Sequence, residues 1–130
     1  MIVYLAGGIN GLSDADARDW REHAKARLKA DTLDPMRRDY RGRELDDGIA
    51  QEIVEGDLKD MSDSDVILAS CVRPSWGTAM EVFYASYVRD MPVYAVVPEG
   101  APSPWLLQHA IVFRSFDDAI DHINRGMGAE

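Results

Sequence analysis

A short apolar run, a turn and a helical pattern near the middle of the chain constrain the fold most. Residues 66–69 are Val-Ile-Leu-Ala, which is typical of a strand buried on both faces of a parallel sheet. The turn at 74–77 contains Pro, Ser and Gly, and Thr78 is predicted to cap a helix that carries Glu81 in its first turn. Because ligands bind outside the carboxyl ends of parallel strands, we expect the functional site here.

Strand-like and helix-like segments alternate along the rest of the chain. Further strands are predicted at residues 2–6, 32–35, 93–97 and 111–113. Helices are predicted at 17–28, 49–61 and 116–123, with a short one that Ser103 and Pro104 open at Trp105, and a frayed tail at 126–130. The alternation predicts a doubly wound α/β fold of flavodoxin or Rossmann type, with a mostly parallel five-stranded sheet between helices.

The charge balance limits the kind of partner. Fourteen basic residues against 23 acidic ones give a net charge of −9, which argues against a nucleic acid polymer or an anionic membrane surface. Small molecules are the expected ligands. The 130 residues, 46% of them hydrophobic, predict a single domain over 1–130. Cys71 is the single cysteine, and neither a leader nor a membrane-spanning run is evident, so we expect a cytoplasmic protein.

A glycine-rich loop follows the first predicted strand. Gly7, Gly8, Asn10 and Gly11 form a loop whose backbone can approach a ligand closely. It has the pattern of a phosphate or sugar cradle, although a glycine-rich turn after a first strand is also an ordinary chain reversal. Both interpretations remain open at this stage.

Residues 36–48 have no apolar period and predict a long mobile loop. The segment carries several charged side chains and Tyr40, and its arginines are Arg37, Arg38, Arg41 and Arg43. Beside a site it could form a lid whose Arg and Tyr side chains bind a base or phosphate. It could equally be a solvated excursion without a role.

Two carboxylates stand out from their surroundings. Asp57 lies at the edge of an apolar helical stripe made of Ile49, Ile53, Val54, Leu58 and Met61. Burial of such a group is unfavourable unless it is paired, so Asp57 is either a structural ion-pair or capping residue or a catalytic one. Glu81, at the predicted helix start, is favoured in its ionised form, which suits either a nucleophile or ordinary helix stabilisation of about 0.3–1 kcal/mol. Two carboxylates near one sugar suggest glycosidic chemistry.

Three segments together resemble a known family. V-Y-L-A-G-G-I-N-G, G-D-L-K-D-M-S-D-S-D-V-I-L-A and P-S-W-G-T-A-M-E-V-F-Y-A are similar to the nucleoside 2-deoxyribosyltransferase family, including its nucleotide N-hydrolase branch. The resemblance implies that Glu81 is the nucleophile on C1′ and that Asp57 transfers a proton to the departing base. It also implies that the loop 7–11 lies against the sugar and its 5′ substituent, and that the protein is a homo-oligomer in which neighbouring subunits complete each site.

The position six residues before Glu81 bears on the substrate. Family members that act on free nucleosides tend to have Asp there, whereas this chain has Ser75, as in the nucleotide N-hydrolase branch. A carboxylate would repel a 5′-phosphate and a hydroxyl can donate to it. Ser103 is a candidate for a second phosphate contact from a neighbouring subunit. Asn10, however, stands where some nucleotide-acting members have Arg.

The remaining candidates concern the sugar and base. Gly77 is a candidate substrate-binding residue, and Tyr4, Trp76, Met80 and the loop 36–48 are candidates for the base pocket. Trp76 and Met80 could equally be core or subunit contacts. Neither a metal nor another cofactor is expected, because the three histidines, His23, His109 and His122, have no metal-ligand spacing.

Several functions remain open from the sequence. The first is hydrolysis of the N-glycosidic bond of a nucleoside 5′-monophosphate, and the second is transfer of deoxyribose between bases through the same Glu81 intermediate. A phosphoribohydrolase of the cytokinin-activating type shares a G-T-x-x-E segment but requires a glycine pair that this chain lacks. The chain could also be a catalytically silent nucleotide-binding module or a hydrolase based on Cys71.

Overall fold

The computed structural model describes residues 1–127 and contains a five-stranded sheet. The strands are β1 (Ile2–Ala6), β2 (Asp31–Leu33), β3 (Val66–Ser70), β4 (Val93–Val96) and β5 (Ile111–Phe113). Their spatial order is β2-β1-β3-β4-β5, and every neighbouring pair is parallel. The strand order reverses between β1 and β3, which confirms the predicted doubly wound α/β fold.

Helices connect the strands and cover both faces of the sheet. They are α1 (Asp14–Ala17), α2 (Asp19–Arg27), α3 (Ile49–Ser62), α4 (Trp76–Phe83), α5 (Pro104–His109) and α6 (Phe116–Met127). A 3₁₀ turn covers Pro35–Arg37, and α4 continues directly into a π-helical turn at Tyr84–Val88. In residues 1–127, no helix has the length and apolar character needed to cross a membrane.

Alternate residues of β1 enter two separate cores, because successive strand side chains point to opposite faces. Val3 and Leu5 pack with α2 and α6, in a cluster that includes Ile120 and Ile123. Tyr4 and Ala6 enter the other cluster, with Met61 of α3 and Val82 of α4. This alternation brings Tyr4 beneath the helix that carries Glu81.

The observed element boundaries differ from the predicted ones in a few places. The single helix predicted at 17–28 is two helices that meet at Arg18, while Ser13 caps the first by accepting from the amide of Asp16. The second strand ends at Leu33, because Asp34 caps the turn that Pro35 begins. The fourth strand ends one residue early, at Val96.

The predicted tail and the predicted apolar stripe of α3 also need correction. Gly126 lies within α6, and only residues 128–130 of the expected tail fall outside the described part of the chain. On α3, Ile49 and Met61 are buried, but Val54 is 54% exposed and Leu58 is 38% exposed, so the stripe is only partly covered within the described part of the chain.

The start of α4 differs from the prediction in a way that matters for the site. Ser75, not Thr78, is the N-cap, and its hydroxyl accepts from the amide of Thr78 at 3.3 Å. A serine at this position reaches the amide three residues later, so Gly77 and Thr78 are already helical. Glu81 therefore lies in the second turn of α4 rather than the first.

Candidate active site

A pocket of about 510 Å³ lies at the carboxyl ends of β1 and β3, where the strand order reverses. Gly7 and Gly8, directly after β1, form one wall, and Ser75 at the start of α4 belongs to the opposite wall. Asp57 of α3 and Glu81 of α4 also line it. Its size suits a small organic ligand.

Tyr4, Asp57 and Glu81 meet in this pocket. The hydroxyl of Tyr4 donates a hydrogen bond to Oε2 of Glu81, and Tyr4 itself is fully buried. The hydrogen bond fixes one carboxylate oxygen of Glu81 and leaves Oε1 without a partner from Tyr4. Tyr4, expected to shape the base pocket, thus contacts the candidate nucleophile directly.

Burial dominates the electrostatics of Glu81. Desolvation, with the nearby Asp57 charge as the second cause, raises the pKa of Glu81 to about 8, and the Tyr4 hydrogen bond opposes this rise. The sequence led us to expect an ionised carboxylate held by the helix start, and this expectation is wrong. The helix-terminus effect is confined to the first turn, and Glu81 lies beyond it, in the second turn of α4.

Asp57 is both paired and part of the pocket. Nη2 of Arg38 lies 3.3 Å from Oδ1 of Asp57, and both side chains are about a quarter exposed. Burial raises the pKa of Asp57, and the Arg38 guanidinium opposes the rise. The structural and the catalytic interpretations of Asp57 are therefore compatible, because the same carboxylate forms the ion pair with Arg38 and lines the pocket with Glu81.

Asp60 lies three residues after Asp57 on α3 and is paired with two arginines. It is 6% exposed, and it accepts hydrogen bonds from Arg37 at 2.9 and 3.0 Å and from Arg38 at 2.8 Å. These contacts tie the segment after β2 to α3. The signal available in the sequence was the i, i+3 spacing of Asp57 and Asp60, which puts both on one side of the helix.

Gly56 allows Arg38 to reach these carboxylates. A Cβ atom at position 56 would lie 2.7 Å from Nε of Arg38, closer than real contacts allow. Arg38 thus crosses α3 over a position without a side chain. No pattern in the sequence indicates this contact, because Gly56 has no turn role within its helix.

Arg21 is a buried cation that the sequence reasoning missed. It is fully buried and donates to the carbonyl oxygens of Leu5 at 3.3 Å, of Gly7 at 3.0 Å and of Ala17. Its Nε lies 3.3 Å from Oδ1 of the buried Asp34. The spacing of positions 17, 21, 24 and 28 puts Arg21 on the apolar face of α2, which was the available signal.

The glycine-rich loop lies along the pocket. Gly7, Gly8 and Asn10 line it, whereas Gly11, with a φ of 71°, is outside the lining. A Cβ atom at position 7 would come within 2.7 Å of the Trp20 ring, so only glycine allows this approach of the strand end to α2. Ser75 lies against Gly8, with its Oγ 3.9 Å from a Cβ built there.

The other predicted residues divide between the pocket and a neighbouring groove. Gly77 and Trp76 line the pocket, whereas Met80 and Ser103 line the groove, a cavity of about 700 Å³ between α4 and α5. Ser103 is the N-cap of α5 and accepts from the amide of Trp105 at 3.2 Å. Within a single chain, Ser103 is therefore not a residue of the pocket.

Cys71 lines the same groove as Met80 and has the properties of a structural thiol. Burial raises the pKa of Cys71 to about 11, so the thiol is protonated at neutral pH. The thiolate that a nucleophilic mechanism requires is then scarce. The interpretation of Cys71 as a catalytic residue is unsupported.

The arginines between 36 and 48 are paired with carboxylates. Arg41 bonds Asp14 and Asp39, and it also donates to the carbonyl of Leu12. None of Arg37, Arg38, Arg41 and Arg43 is among the residues that line the pocket within residues 1–127. In the same part of the chain, no group of three His, Cys, Asp or Glu side chains is arranged to hold a metal ion.

A doubly wound sheet with two carboxylates facing a pocket at its switch point defines an α/β enzyme for a small ligand. The family model described as Nucleoside 2-deoxyribosyltransferase matches residues 3–124. The chain therefore belongs to the nucleoside 2-deoxyribosyltransferase family, and it is an enzyme of nucleoside glycosyl transfer or hydrolysis.

Solved structures agree with this assignment at the level of the fold. A 2-deoxyribosyltransferase from the psychrotolerant bacterium Bacillus psychrosaccharolyticus is 18% identical, with a TM-score of 0.72 over 93% of this chain and 91% of that one. A conserved protein from Enterococcus faecalis V583 is 19% identical, with a TM-score of 0.73 over 96% and 98% of the two chains. A search of curated proteins gave no significant match.

Proposed function

We propose that this protein cleaves the N-glycosidic bond of a (2′-deoxy)nucleoside 5′-monophosphate through a covalent glycosyl-enzyme on Glu81. The observation that carries this proposal is the pairing of Glu81 and Asp57 in one pocket, with Tyr4 bonded to Glu81. Carboxylates in different environments can divide the roles of nucleophile and proton carrier between them.

In the first step, the free carboxylate oxygen of Glu81 attacks C1′ of the sugar. The bond from C1′ to the base nitrogen breaks, its electron pair leaves with the base, and Asp57 supplies the proton that neutralises it. Burial raises the pKa of Asp57, and the Arg38 guanidinium opposes the rise. The product is an ester between Glu81 and C1′.

In the second step, water attacks C1′ and Asp57 accepts the proton that the water loses. The ester bond breaks, its electron pair returns to Glu81, and the free sugar phosphate departs. Glu81 is again a carboxylate that accepts from Tyr4. No cofactor is needed, because the electron pairs and protons balance between substrate, water and the two carboxyl groups.

The proposed 5′-phosphate lies near Ser75. The hydroxyl oxygen of Ser75 accepts hydrogen bonds from the amide and from the hydroxyl of Thr78, at 3.3 and 3.1 Å. The hydroxyl hydrogen of Ser75 is therefore free to donate to the phosphate. Gly8 lies opposite, and its backbone can approach the sugar phosphate closely. An aspartate at position 75 would instead repel the phosphate.

A base-exchange reaction is the second candidate. One structurally similar protein is named as a 2-deoxyribosyltransferase, and the same Glu81 ester can react with a base in place of water. The two reactions differ in what reaches C1′ after the first base has left. Water as the acceptor gives hydrolysis and a base as the acceptor gives exchange, so adding a second base to the assay distinguishes the two reactions.

We also propose that a second copy of the chain covers the groove between α4 and α5. Large apolar side chains are exposed there, including Trp76 at 86% and Trp105 at 73%, which is unusual for a free surface. The groove and the pocket share the residues 73–76 and Thr78, so a copy seated in the groove reaches the pocket edge. The partner subunit's Ser103 would then be available to the phosphate.

The oligomer is tested by light scattering of the native protein and of Trp105→Glu. A dimer or larger assembly that Trp105→Glu dissociates supports the proposal, with Leu45→Glu as the control because Leu45 is fully exposed on another segment. A monomeric native protein contradicts it.

The reaction is tested with a panel of 2′-deoxynucleosides and their 5′-monophosphates, each with and without a second base. We expect native protein to release base from monophosphates without an acceptor, and Glu81→Ala to release none. Ser75→Asp should shift the preference towards unphosphorylated nucleosides. Exchange that requires a second base would establish the transferase instead, and turnover that survives Glu81→Ala would exclude both mechanisms.

The catalytically silent alternative is tested in the same panel. Glu81→Gln should retain nucleotide binding, because glutamine can still accept the hydrogen bond from Tyr4. If native protein and Glu81→Gln bind the nucleotide equally well and neither releases base, the chain is a binding module.

A further inference from the structure

The pocket carries a single positive side chain to meet an anionic substrate. Among its lining residues in the range 1–127, Arg73 is the one cation, whereas Asp16, Asp57 and Glu81 are acidic. The chain as a whole carries a net charge of −9. A phosphate entering this pocket therefore meets a negative field unless Arg73 compensates it locally.

The glycine-rich loop does not supply the missing charge. Asn10 is neutral and is the sole residue with a side-chain amide among the lining residues that the structure describes. Arg21, beneath the loop, is fully buried and committed to carbonyl oxygens and Asp34, so it is not available to a ligand. Within a single chain, the compensating charge therefore comes from the loop that follows β3.

Arg73 belongs to that loop, two residues before Ser75. Its Nη2 atom lies 3.0 Å from Oδ2 of Asp16 on α1, so the ion pair joins the two walls of the pocket. Both side chains are well exposed, at 57% and 40%. Exposed pairs of this kind contribute little stability, so Arg73 can exchange its partner easily.

A phosphate is the better partner for this guanidinium. Its doubly charged form accepts two parallel hydrogen bonds from arginine, whereas the contact to Asp16 runs through Nη2 alone. Asp16 is also held by Ser13, whose hydroxyl lies 3.4 Å from the same Oδ2 atom, so Asp16 keeps a polar contact when Arg73 leaves.

We propose that Arg73 binds the 5′-phosphate of the substrate together with Ser75, and that Asp16 holds Arg73 until the phosphate displaces it. This inference rests on the nucleotide substrate proposed above. Asp16 is then a competitor of the phosphate, so its removal strengthens substrate binding. Arg73 selects phosphorylated over unphosphorylated substrates.

Steady-state kinetics of native protein, Arg73→Gln, Arg73→Lys and Asp16→Asn tests the inference. The readout is kcat/KM for the monophosphate divided by kcat/KM for the matching nucleoside. Arg73→Gln should lower this ratio about 10- to 100-fold through KM, the effect of losing hydrogen bonds to a charged group. Arg73→Lys should recover part of it, and Asp16→Asn should raise it.

Arg43→Gln is the matched control. Arg43 is similarly exposed, is paired with Asp46 at 3.6 Å and lies outside the pocket lining, so its loss should leave the ratio unchanged. If Arg73→Gln lowers activity on both substrates equally, or if Asp16→Asn lowers the ratio, the inference is overturned. The proposed hydrolysis of monophosphates would still stand in that case.

A binding measurement separates the two proposals. Ribose 5-phosphate should raise the thermal unfolding midpoint of native protein and of Asp16→Asn, but not that of Arg73→Gln. Protection that depends on Arg73 supports the phosphate site even if no monophosphate is hydrolysed. Equal protection of native protein and Arg73→Gln overturns it, whatever the reaction proves to be.

Discussion

The hydroxyl of Tyr4 donates a hydrogen bond to Glu81, which joins the middle of the first strand to the second turn of α4. Tyr4 pairs with Ile67 in the neighbouring β3, and both side chains lie in the core that α3 and α4 cover. Burial and the charge of Glu81 raise the pKa of Tyr4, so it remains a hydrogen-bond donor over the working pH range.

We expect kcat/KM to rise with pH towards about 8. The pKa of Glu81 is raised to about 8, so below that pH the carboxyl group is largely protonated and cannot attack C1′. The measurement is a pH–rate profile with the preferred substrate at low concentration. A profile that is already flat from about pH 5, near the ordinary pKa of a glutamate, would contradict this assignment.

Tyr4→Phe should move the rising limb of that profile to higher pH. The Tyr4 hydrogen bond lowers the pKa of Glu81, so its loss leaves burial and the Asp57 charge less opposed. Tyr94→Phe is the control, because Tyr94 packs against the core on the opposite face of the sheet. If the rising limb of the Tyr4→Phe profile keeps its position and only the maximum rate falls, Tyr4 contributes packing and does not tune the pKa of Glu81.

Glu81→Gln should stabilise the protein at alkaline pH. In the folded state the pKa of Glu81 rises from 4.5 to about 8, so the fold binds this proton more tightly than the unfolded chain does. The stabilisation that this proton contributes is therefore fully present below pH 4.5, the pKa in the unfolded chain, and it is lost as the pH rises through about 8, the pKa in the folded protein.

Urea unfolding measures this effect. The midpoint of Glu81→Gln should match that of native protein at about pH 4 and exceed it at about pH 9, whereas Glu99→Gln, a change at an exposed loop residue, should follow native protein throughout. Equal midpoints for native protein and Glu81→Gln at the alkaline pH would show that Glu81 is not buried in its protonated form.

Gly56→Ala should act on Asp57 by displacing Arg38. The added methyl group would lie 2.7 Å from Nε of Arg38, and the ion pair with Asp57 would break as the side chain moves away. Because Arg38 lowers the pKa of Asp57, we expect loss of the ion pair to raise that pKa and to move the limb of the pH–rate profile that depends on Asp57 to higher pH.

A double-mutant cycle gives the decisive comparison. Gly56→Ala should have no further effect once Arg38 is replaced by glutamine, because both changes remove the same contact. Gly126→Ala is the control, since a Cβ atom there meets open space. Additive effects of Gly56→Ala and Arg38→Gln would show that Gly56 acts independently of Arg38.

Arg21→Met should lower the free energy of unfolding by about 3–5 kcal/mol, as expected when one partner of a buried ion pair is removed. The change leaves the buried Asp34 with Lys25 as its remaining cation, at 2.6 Å, and removes the donors to the carbonyls of Leu5 and Gly7. Urea unfolding measures the change, with Arg43→Gln as control. Unaltered stability would show that the loop after β1 does not depend on Arg21.

Much of the fold could be predicted from local patterns. The run Val-Ile-Leu-Ala at 66–69 and the alternation of strands and helices identified the parallel sheet, because strands covered on both faces are continuously apolar. Cap residues were less reliable. Ser75 and Thr78 are both good N-caps, and the sequence could not decide which of them ends the turn, since that depends on the path of the chain after β3.

The sequence by itself determined which carboxylates to examine, because an acid within an apolar helix pattern and one after a strand-turn-helix segment are visible without coordinates. The family match confirms the resemblance on which their proposed roles rest. The tertiary structure decided their partners and protonation. Tyr4 reaches Glu81 across 77 positions, and Arg38 reaches Asp57 across 19. Hydrogen bonding and desolvation act through space, so a pKa of about 8 for Glu81 follows from packing and not from its place in the sequence.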